Sequence, residues 1–158
     1  MFANGSFSPI YSIIPFAEKY RDDMIFMVLE AKDALGRVPV LNEDLLDVKK
    51  NYLDKGDMFY LAVDENDRVI GCIGYNSVPG TTEARLHRLY VKAKLKRRGI
   101  GTRLLMTMED YLISHGKTEA HVHLGGREYF ESRLFYPKHG YREYEKDMMA
   151  KVLRTEEI

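Results

Sequence analysis

Two glycines interrupt a run of basic residues in the segment KRRGIGT, residues 96–102. Because Gly99 and Gly101 have no side chains, the backbone there can approach a ligand closely. Apolar residues at helical spacing follow directly, so this segment is predicted to open a helix. The first N–H groups of a helix are unpaired and carry partial positive charge. The sequence therefore predicts a phosphate-binding turn.

The charge around this turn is strongly positive, although the whole chain balances 24 Lys and Arg against 24 Asp and Glu. Residues 84–108 contain no acid and eight cations: Arg85, Arg88, Lys92, Lys94, Lys96, Arg97, Arg98 and Arg103. A solvated basic face is one interpretation of such a run. Together with the glycines, the run favours a ligand that carries more than one phosphate.

Two common phosphate-binding motifs are excluded by missing glycines. A dinucleotide-binding fingerprint would need a glycine at Leu104, and a P-loop would need one at Tyr111. The Gly-Lys-Thr at residues 116–118 also follows a predicted helix, whereas a P-loop follows a strand. What remains is a strand ending in Leu-Tyr-Val (residues 89–91), the turn, and an amphipathic helix.

The elements that position the turn are predicted from hydrophobic spacing and from Gly, Pro and Asn signals. Helices are predicted at residues 17–35, 42–55, 100–114 and 128–136, and strands at 8–15, 58–63, 68–75, 82–91, 119–124 and within 141–153. The helix at 100–114 would make the strands at 82–91 and 119–124 parallel. The fold class is α/β of the α+β type, with a mixed, mostly antiparallel sheet of six to seven strands and about four helices.

Length and composition indicate one domain over residues 1–158, with 45% hydrophobic and 30% charged residues. A single cysteine cannot form a disulfide within the chain, which favours a reducing compartment, the cytoplasm. The N-terminal residues do not resemble a secretory signal, and no apolar stretch is long enough to span a membrane.

The turn and its surroundings resemble motif A of the GNAT acetyltransferase superfamily, R/Q-x-x-G-x-G/A after a Leu-Tyr-Val strand end. The segment LFYPKHGYREY, residues 134–144, resembles the second signature of that family. The predicted element order matches the GNAT order over roughly residues 8–153. Two departures are Lys96 at the first motif position, and Tyr129 and Ser132 where the family often has Asn and Ala.

The resemblance implies acetyl-coenzyme A as cosubstrate, with its pyrophosphate on the turn and its pantetheine arm beside the strand. The implied cofactor-binding residues are Leu89, Tyr90, Val91, Lys96, Arg97, Arg98, Gly99, Ile100, Gly101 and Thr102. A backbone N–H near Val91 would bind the thioester oxygen as negative charge develops there. No metal is expected.

The resemblance also implies three catalytic candidates. Tyr136 occupies the position of the general-acid tyrosine that protonates the departing thiolate. Strand alternation places Arg85, His87, Leu89 and Val91 on one face, which makes His87 the first candidate for the general base. Glu83 is a second candidate for the base, and a water relay is a third.

Other reactive side chains receive structural interpretations. Cys72 lies in an apolar strand with no histidine nearby in sequence, which favours a buried thiol over an acyl-carrying nucleophile. His121 and His123 share a strand face but have no further metal ligands beside them in sequence. They are interpreted as structural or substrate-side groups.

The resemblance implies an N-acetyltransferase that transfers directly to a primary amine in a ternary complex, and a homodimer as one assembly. A noncatalytic acyl-coenzyme A binding module is the alternative function. A nucleic-acid or membrane partner is not expected. An acidic rim that would attract a cationic amine is one hypothesis for acceptor binding: Glu30, Asp33, Glu43, Asp44 and Asp47.

Overall fold

A computed structural model describes residues 9–125 and 130–154. In chain order the elements are β1 (Tyr11–Pro15), α1 (Arg21–Ala34), α2 (Val48–Asn51), β2 (Phe59–Asp64), β3 (Val69–Ser77), β4 (Glu83–Val91), α3 (Ile100–Ser114), β5 (Glu119–His123), α4 (Phe130–Lys138), β6 (Arg142–Glu145) and β7 (Met148–Val152). The strands form one sheet in the order β1-β2-β3-β4-β5-β7-β6. Strands β4 and β5 are parallel, as predicted, and the other pairs in the described chain are antiparallel.

Helices cover both faces of the sheet, and each face has its own core. The α3-side core includes residues of α3 that recur at helical spacing, among them Ile100, Leu104, Met108 and Leu112. The α1-side core includes Met24, Met27 and Val28 of α1. The sheet therefore separates two layers, and side chains of β4 point into one layer or the other.

The second predicted helix is wrong as a continuous element. Residues 43–55 instead form a 3₁₀ turn at Glu43–Asp47, the short helix α2, and a second 3₁₀ turn at Leu53–Lys55. Asp47 has non-helical backbone angles, and its side chain accepts a hydrogen bond from the Lys50 N–H at 3.0 Å. The apolar spacing is still satisfied, because Leu45, Val48 and Tyr52 are all buried.

Several other boundaries differ slightly from the prediction. The first helix begins with a 3₁₀ turn at Glu18–Tyr20 before α1. The predicted starts of the first strand at Ser8 and of the last helix at Glu128 lie outside the described residues. Within the described ranges, no helix combines the length and the apolar character that a membrane span requires.

Strands β4 and β5 pair over only part of their length. Their register runs from Glu83 opposite Glu119 to Leu86 opposite Val122. Beyond Leu86, the second half of β4 pairs with β3 alone, while β5 stays paired with β7 on its other side. This separation opens a gap in the middle of the sheet, and the predicted site residues lie around it.

Candidate active site

A cavity of about 710 Å³, here called the cofactor cavity, lies between the end of β4, the turn before α3, and α4. Of the ten residues assigned to cofactor binding, the cavity is lined by Leu89, Tyr90, Val91, Lys96, Arg97, Gly99, Ile100, Gly101 and Thr102. Arg98 is not among its lining residues. Nine of the ten residues therefore line one cavity.

The two glycines of the turn serve different purposes. Gly99 has φ of +82° and stands as the residue that caps the start of α3. A side chain there would meet no other atom but would be strained by this left-handed backbone. At Gly101, an added Cβ would lie 3.6 Å from Val91 and 3.7 Å from Phe135, which is ordinary contact. Gly99 thus allows the left-handed backbone conformation, and Gly101 contributes no side chain to the cavity wall.

An ion pair joins the turn to α4 across the cofactor cavity. The Lys96 Nζ lies 3.1 Å from the Glu131 carboxylate, and both residues line the cavity. Thr102 Oγ1 lies 3.3 Å from His139 Nε2 farther along the same two elements. The cation at the first motif position is therefore held beside the turn, although Lys96 lacks the planar fork of an arginine.

A second cavity, of about 520 Å³, occupies the gap between β4 and β5 and is called the acceptor cavity after the role that we propose for it. The two cavities share four lining residues: Leu89, Tyr90, Ser132 and Tyr136. Two ligands that entered from the two cavities would therefore meet beside Tyr136. Sequence reasoning did not single out Ser132 for this position, and α4 brings it one turn from Tyr136.

Tyr136 is 5% exposed, and its ring packs on Phe135 and Tyr141 with centroids 5.1 and 5.3 Å apart. Burial raises the pKa of the Tyr136 phenol, and the negative charge of Glu109 raises it further. No residue of the described chain makes a hydrogen bond with its hydroxyl. The phenol is therefore protonated at neutral pH, and its hydroxyl is left for a ligand.

A bulge in β4 overturns the predicted strand alternation. Cys72 of β3 faces Tyr90, and Gly74 faces His87, so the single residue Ile73 lies opposite both Arg88 and Leu89. Arg88 adopts φ of +59°, which is rare for a residue with a side chain. The extra residue reverses the order of faces along the rest of the strand.

The bulge separates the four residues that were expected on one face. Leu89 and Val91 pack against the α3-side core, as Leu86 does before the bulge. His87 instead faces the α1 side, because it lies opposite Gly74, whose missing Cβ would touch Phe59 of the α1-side core. Alternation failed here because it assumes an uninterrupted strand.

The backbone beyond the bulge presents an N–H to the gap. Lys92 donates its N–H to the Ile70 carbonyl on the β3 side at 2.9 Å. Successive N–H groups of a strand point to opposite edges, so the Val91 N–H points to the edge that β5 has left. This donor lies in the wall of the cofactor cavity, to which Val91 contributes.

Arg88 is held at the bulge by contacts from distant parts of the chain. Its guanidinium makes two hydrogen bonds to the Asp44 carboxylate, at 2.9 and 3.1 Å, and its carbonyl accepts one from the Cys72 thiol at 3.2 Å. The Tyr52 hydroxyl also donates to Asp44. Burial raises the pKa of the Cys72 thiol to about 12, which fits the predicted structural role. Sequence reasoning missed the Asp44–Arg88 pair because 44 residues separate its members.

The two candidate bases have different surroundings. His87 lines the acceptor cavity, and desolvation, followed by the charge of Arg88, lowers the pKa of its imidazole. It is therefore neutral at pH 7 and able to accept a proton. Glu83 is not among the lining residues of either cavity. Its carboxylate contacts Arg85 at 3.3 Å and His121 at 3.5 Å instead.

The parallel register assembles a cluster that the sequence did not reveal. Glu83, Glu119 and His121 place one ligand atom each within 4.8 Å of the others, a spacing that a metal ion could bridge. Both ring nitrogens of His121 already have partners, Glu119 at 2.9 Å and the Tyr144 hydroxyl at 2.8 Å. The cluster is accounted for as a hydrogen-bonded network that ties β4 and β5 to β6.

Comparisons with known proteins identify the family of the chain. The sequence model of the Acetyltransferase (GNAT) family matches residues 20–141. A search of curated proteins found no match.

Solved structures share the fold at low sequence identity. An acetyltransferase of the GNAT family from Staphylococcus aureus Mu50 is 19% identical, with a TM-score of 0.82, over 91% of this chain and 99% of that one. PaiA N-acetyltransferase from Thermoplasma acidophilum, in complex with coenzyme A, is 19% identical, with a TM-score of 0.72, over 90% and 98%. Aminoglycoside 6'-acetyltransferase type Ii is 22% identical, with a TM-score of 0.74, over 92% and 99%. The family model matches most of the chain, and the chain therefore belongs to the GNAT family of acetyltransferases.

Proposed function

We propose that this protein is an N-acetyltransferase that transfers the acetyl group of acetyl-coenzyme A directly to a primary amine in a ternary complex. The observation that carries the proposal is the meeting of two cavities beside the buried, protonated Tyr136. Family membership supports acyl transfer in general. The coenzyme A complex of the Thermoplasma neighbour supports a coenzyme A thioester as the donor.

The cofactor cavity fits the parts of acetyl-coenzyme A in order. The pyrophosphate would lie on the backbone N–H groups of residues 97–102, where the helix N-terminus and the cations favour negative charge. The pantetheine arm would run along Leu89–Val91 towards the gap. The thioester carbonyl would then face the Val91 N–H, and a well-aimed donor of this kind contributes about 3 kcal/mol to transition-state stabilisation.

The chemical step uses groups from both cavities. His87, or a water that it orders, takes a proton from the acceptor ammonium, and the neutral amine nitrogen attacks the thioester carbonyl carbon. The C–S bond breaks as the tetrahedral intermediate collapses, and Tyr136 gives its proton to the sulfur. The nitrogen releases its second proton to water, and Tyr136 regains a proton from water. The products are an amide and free coenzyme A. Glu83 does not line the acceptor cavity and would act only through His121.

We also propose the compartment in which the protein acts and the kind of partner that it does not bind. The single cysteine favours a reducing compartment, the cytoplasm. Nucleic acid is not a proposed partner, because the phosphates of the coenzyme would account for the basic run and the rest of the chain has more acids than cations.

Release of free coenzyme A from acetyl-coenzyme A, measured with a panel of amines, tests the proposal. Tyr136→Phe should lower kcat about 100-fold while the Kd for acetyl-coenzyme A changes less than twofold, because only the transferable proton is removed. Tyr60→Phe is the matched control, since this tyrosine packs on Tyr111 away from both cavities. A protein that binds acetyl-coenzyme A but acetylates no amine would support the noncatalytic binding module instead.

A further inference from the structure

The acceptor cavity is lined by basic side chains. Its described lining contains five residues that carry or can carry positive charge, and no Asp or Glu: Arg85, His87, Arg88, His121 and His123. The acidic rim considered from the sequence is not part of this lining. Asp44 is engaged by Arg88, and Asp47 caps α2. The surface that an acceptor would meet is therefore suited to an anionic group.

Arg85 has the most freedom to bind a ligand. Its side chain is 57% exposed, and only its Nε is used within the described chain, in the contact with Glu83 at 3.3 Å. The two terminal nitrogens of its guanidinium present a planar fork whose geometry matches a carboxylate. Glu83 contacts the Arg85 Nε and leaves the two terminal nitrogens of the guanidinium open to a ligand.

The other basic groups of the lining add hydrogen-bond donors more than net charge. Arg88 also lines the cavity, but the Asp44 carboxylate balances its charge through two hydrogen bonds. His87 is neutral at pH 7, since its pKa is lowered, and its imidazole can still donate one hydrogen bond. His123 is exposed on β5 and also lines the cavity.

The positive charge of Arg85 also suits the chemistry of the acceptor nitrogen. An amine attacks only when it is neutral, and nearby positive charge lowers the pKa of a bound ammonium group. An acceptor whose only charges are positive would gain no attraction from the Arg85 guanidinium. An acceptor that also carries an anion would gain charge-assisted hydrogen bonds and would still present a neutral nitrogen.

We propose that the acceptor is a primary amine that also bears a carboxylate, as a free amino acid does, and that the Arg85 guanidinium binds this carboxylate. The inference rests on the proposed N-acetyltransferase function and narrows its substrate class. Arg85 is then a specificity-determining residue that lines the acceptor cavity on the β5 side, opposite His121 in the parallel register.

Matched acceptors test this proposal directly. Phenylalanine, alanine and β-alanine are compared with their carboxamides, with spermidine and with 2-aminoethylphosphonate, by following release of coenzyme A at fixed pH. The wild-type protein should use the carboxylates with at least tenfold higher kcat/KM than the carboxamides. Because the carboxamides have the less basic amines, this comparison is biased against the expected result.

The variant Arg85→Gln should remove the preference by lowering kcat/KM for carboxylates at least tenfold, while the values for carboxamides stay within twofold. Arg85→Lys keeps the charge but loses the fork and should retain only part of the preference. Arg142→Gln is the control. Arg142 is exposed on β6, so this substitution removes the same charge outside the acceptor cavity.

Three results would overturn the inference: faster turnover of carboxamides or spermidine, a preference for the phosphonate, or an unchanged preference in Arg85→Gln. If no acceptor of any class releases coenzyme A although acetyl-coenzyme A binds, the N-acetyltransferase function itself fails and the inference fails with it.

Discussion

The cofactor cavity and the acceptor cavity share a wall but are built in different ways. Half of the residues that line the first come from one stretch of chain, residues 89–102, which includes the backbone N–H groups at the start of α3. The second is lined by side chains of β4, β5 and α4. Asp44 is distant from β4 in sequence, and its carboxylate binds Arg88 at the bulge beside that cavity.

This difference predicts that cofactor binding and acceptor selectivity depend on different residues. Backbone donors at a helix N-terminus bind a diphosphate whatever most side chains are, so the first cavity depends on a few glycines. Side chains that converge from separate elements depend on each residue and on the bulge that aims it. Substitutions in the cofactor cavity should therefore alter the Kd for acetyl-coenzyme A, and substitutions around the acceptor cavity should alter kcat.

The largest expected effect is on the acceptor side, at the base. His87→Gln should lower kcat about 100-fold, because the acceptor ammonium loses its general base. The Kd for acetyl-coenzyme A, measured by calorimetry, should change less than twofold. His115→Gln provides the control, since His115 lies at the exposed end of α3 and stacks on Tyr111.

The pH dependence of the wild-type protein sharpens this prediction. Desolvation and Arg88 lower the pKa of His87 below its ordinary 6.5, so the neutral base is available at neutral pH and is lost only as pH falls through the lowered pKa. The kcat of the wild-type protein should fall on that acidic limb. If His87→Gln retains the same limb and rate, the base is not His87.

A smaller effect is expected when the bulge loses its support. Asp44→Ala leaves Arg88 half-buried without its carboxylate and should lower the free energy of unfolding by about 2 kcal/mol. It should also lower kcat about tenfold by misdirecting the residues beyond the bulge. Denaturant unfolding and steady-state kinetics measure the two effects, with the exposed Asp33→Ala as control.

The stability effect of Asp44 should depend on pH in one direction. Burial acts to raise the pKa of this carboxyl, but hydrogen bonds from Arg88 and Tyr52 outweigh burial and lower the pKa below 3.8. The charged form therefore stabilises the fold at neutral pH, and that contribution is lost as pH falls through the lowered pKa. A wild-type advantage that grows below pH 4 would contradict the ion-pair explanation.

The smallest effect is expected on the cofactor side. Gly99→Ala strains a backbone at φ of +82° by about 1–2 kcal/mol. Relief of that strain would move the N–H donors of the turn, so acetyl-coenzyme A should bind about tenfold more weakly while kcat at saturation stays within twofold. Gly101→Ala, where an added Cβ has room beside Val91, should weaken binding less. Equal losses in the two variants would show that backbone conformation is not what Gly99 provides.

Local patterns predicted much of the fold because they act over a few residues. The helical spacing from Ile100 to Leu112 and the β-rich runs at β2 and β3 each gave the correct element. The same rule failed for residues 43–55, where the Asp47 cap and two turns bury Leu45 and Tyr52 without a continuous helix. Spacing alone therefore predicted which residues are buried better than the backbone path that buries them.

The sequence by itself determined the glycine turn, the parallel pair that flanks it and the family that both indicate, because these depend on contiguous residues and on backbone chemistry. Only the tertiary structure decided which face of the sheet His87 occupies, because the β4 bulge is set by contacts with Asp44 and Cys72. It also decided that Glu83 contacts His121 and that basic side chains line the acceptor cavity. Such convergence depends on strand register and on distant ion pairs, which spacing along one chain does not encode.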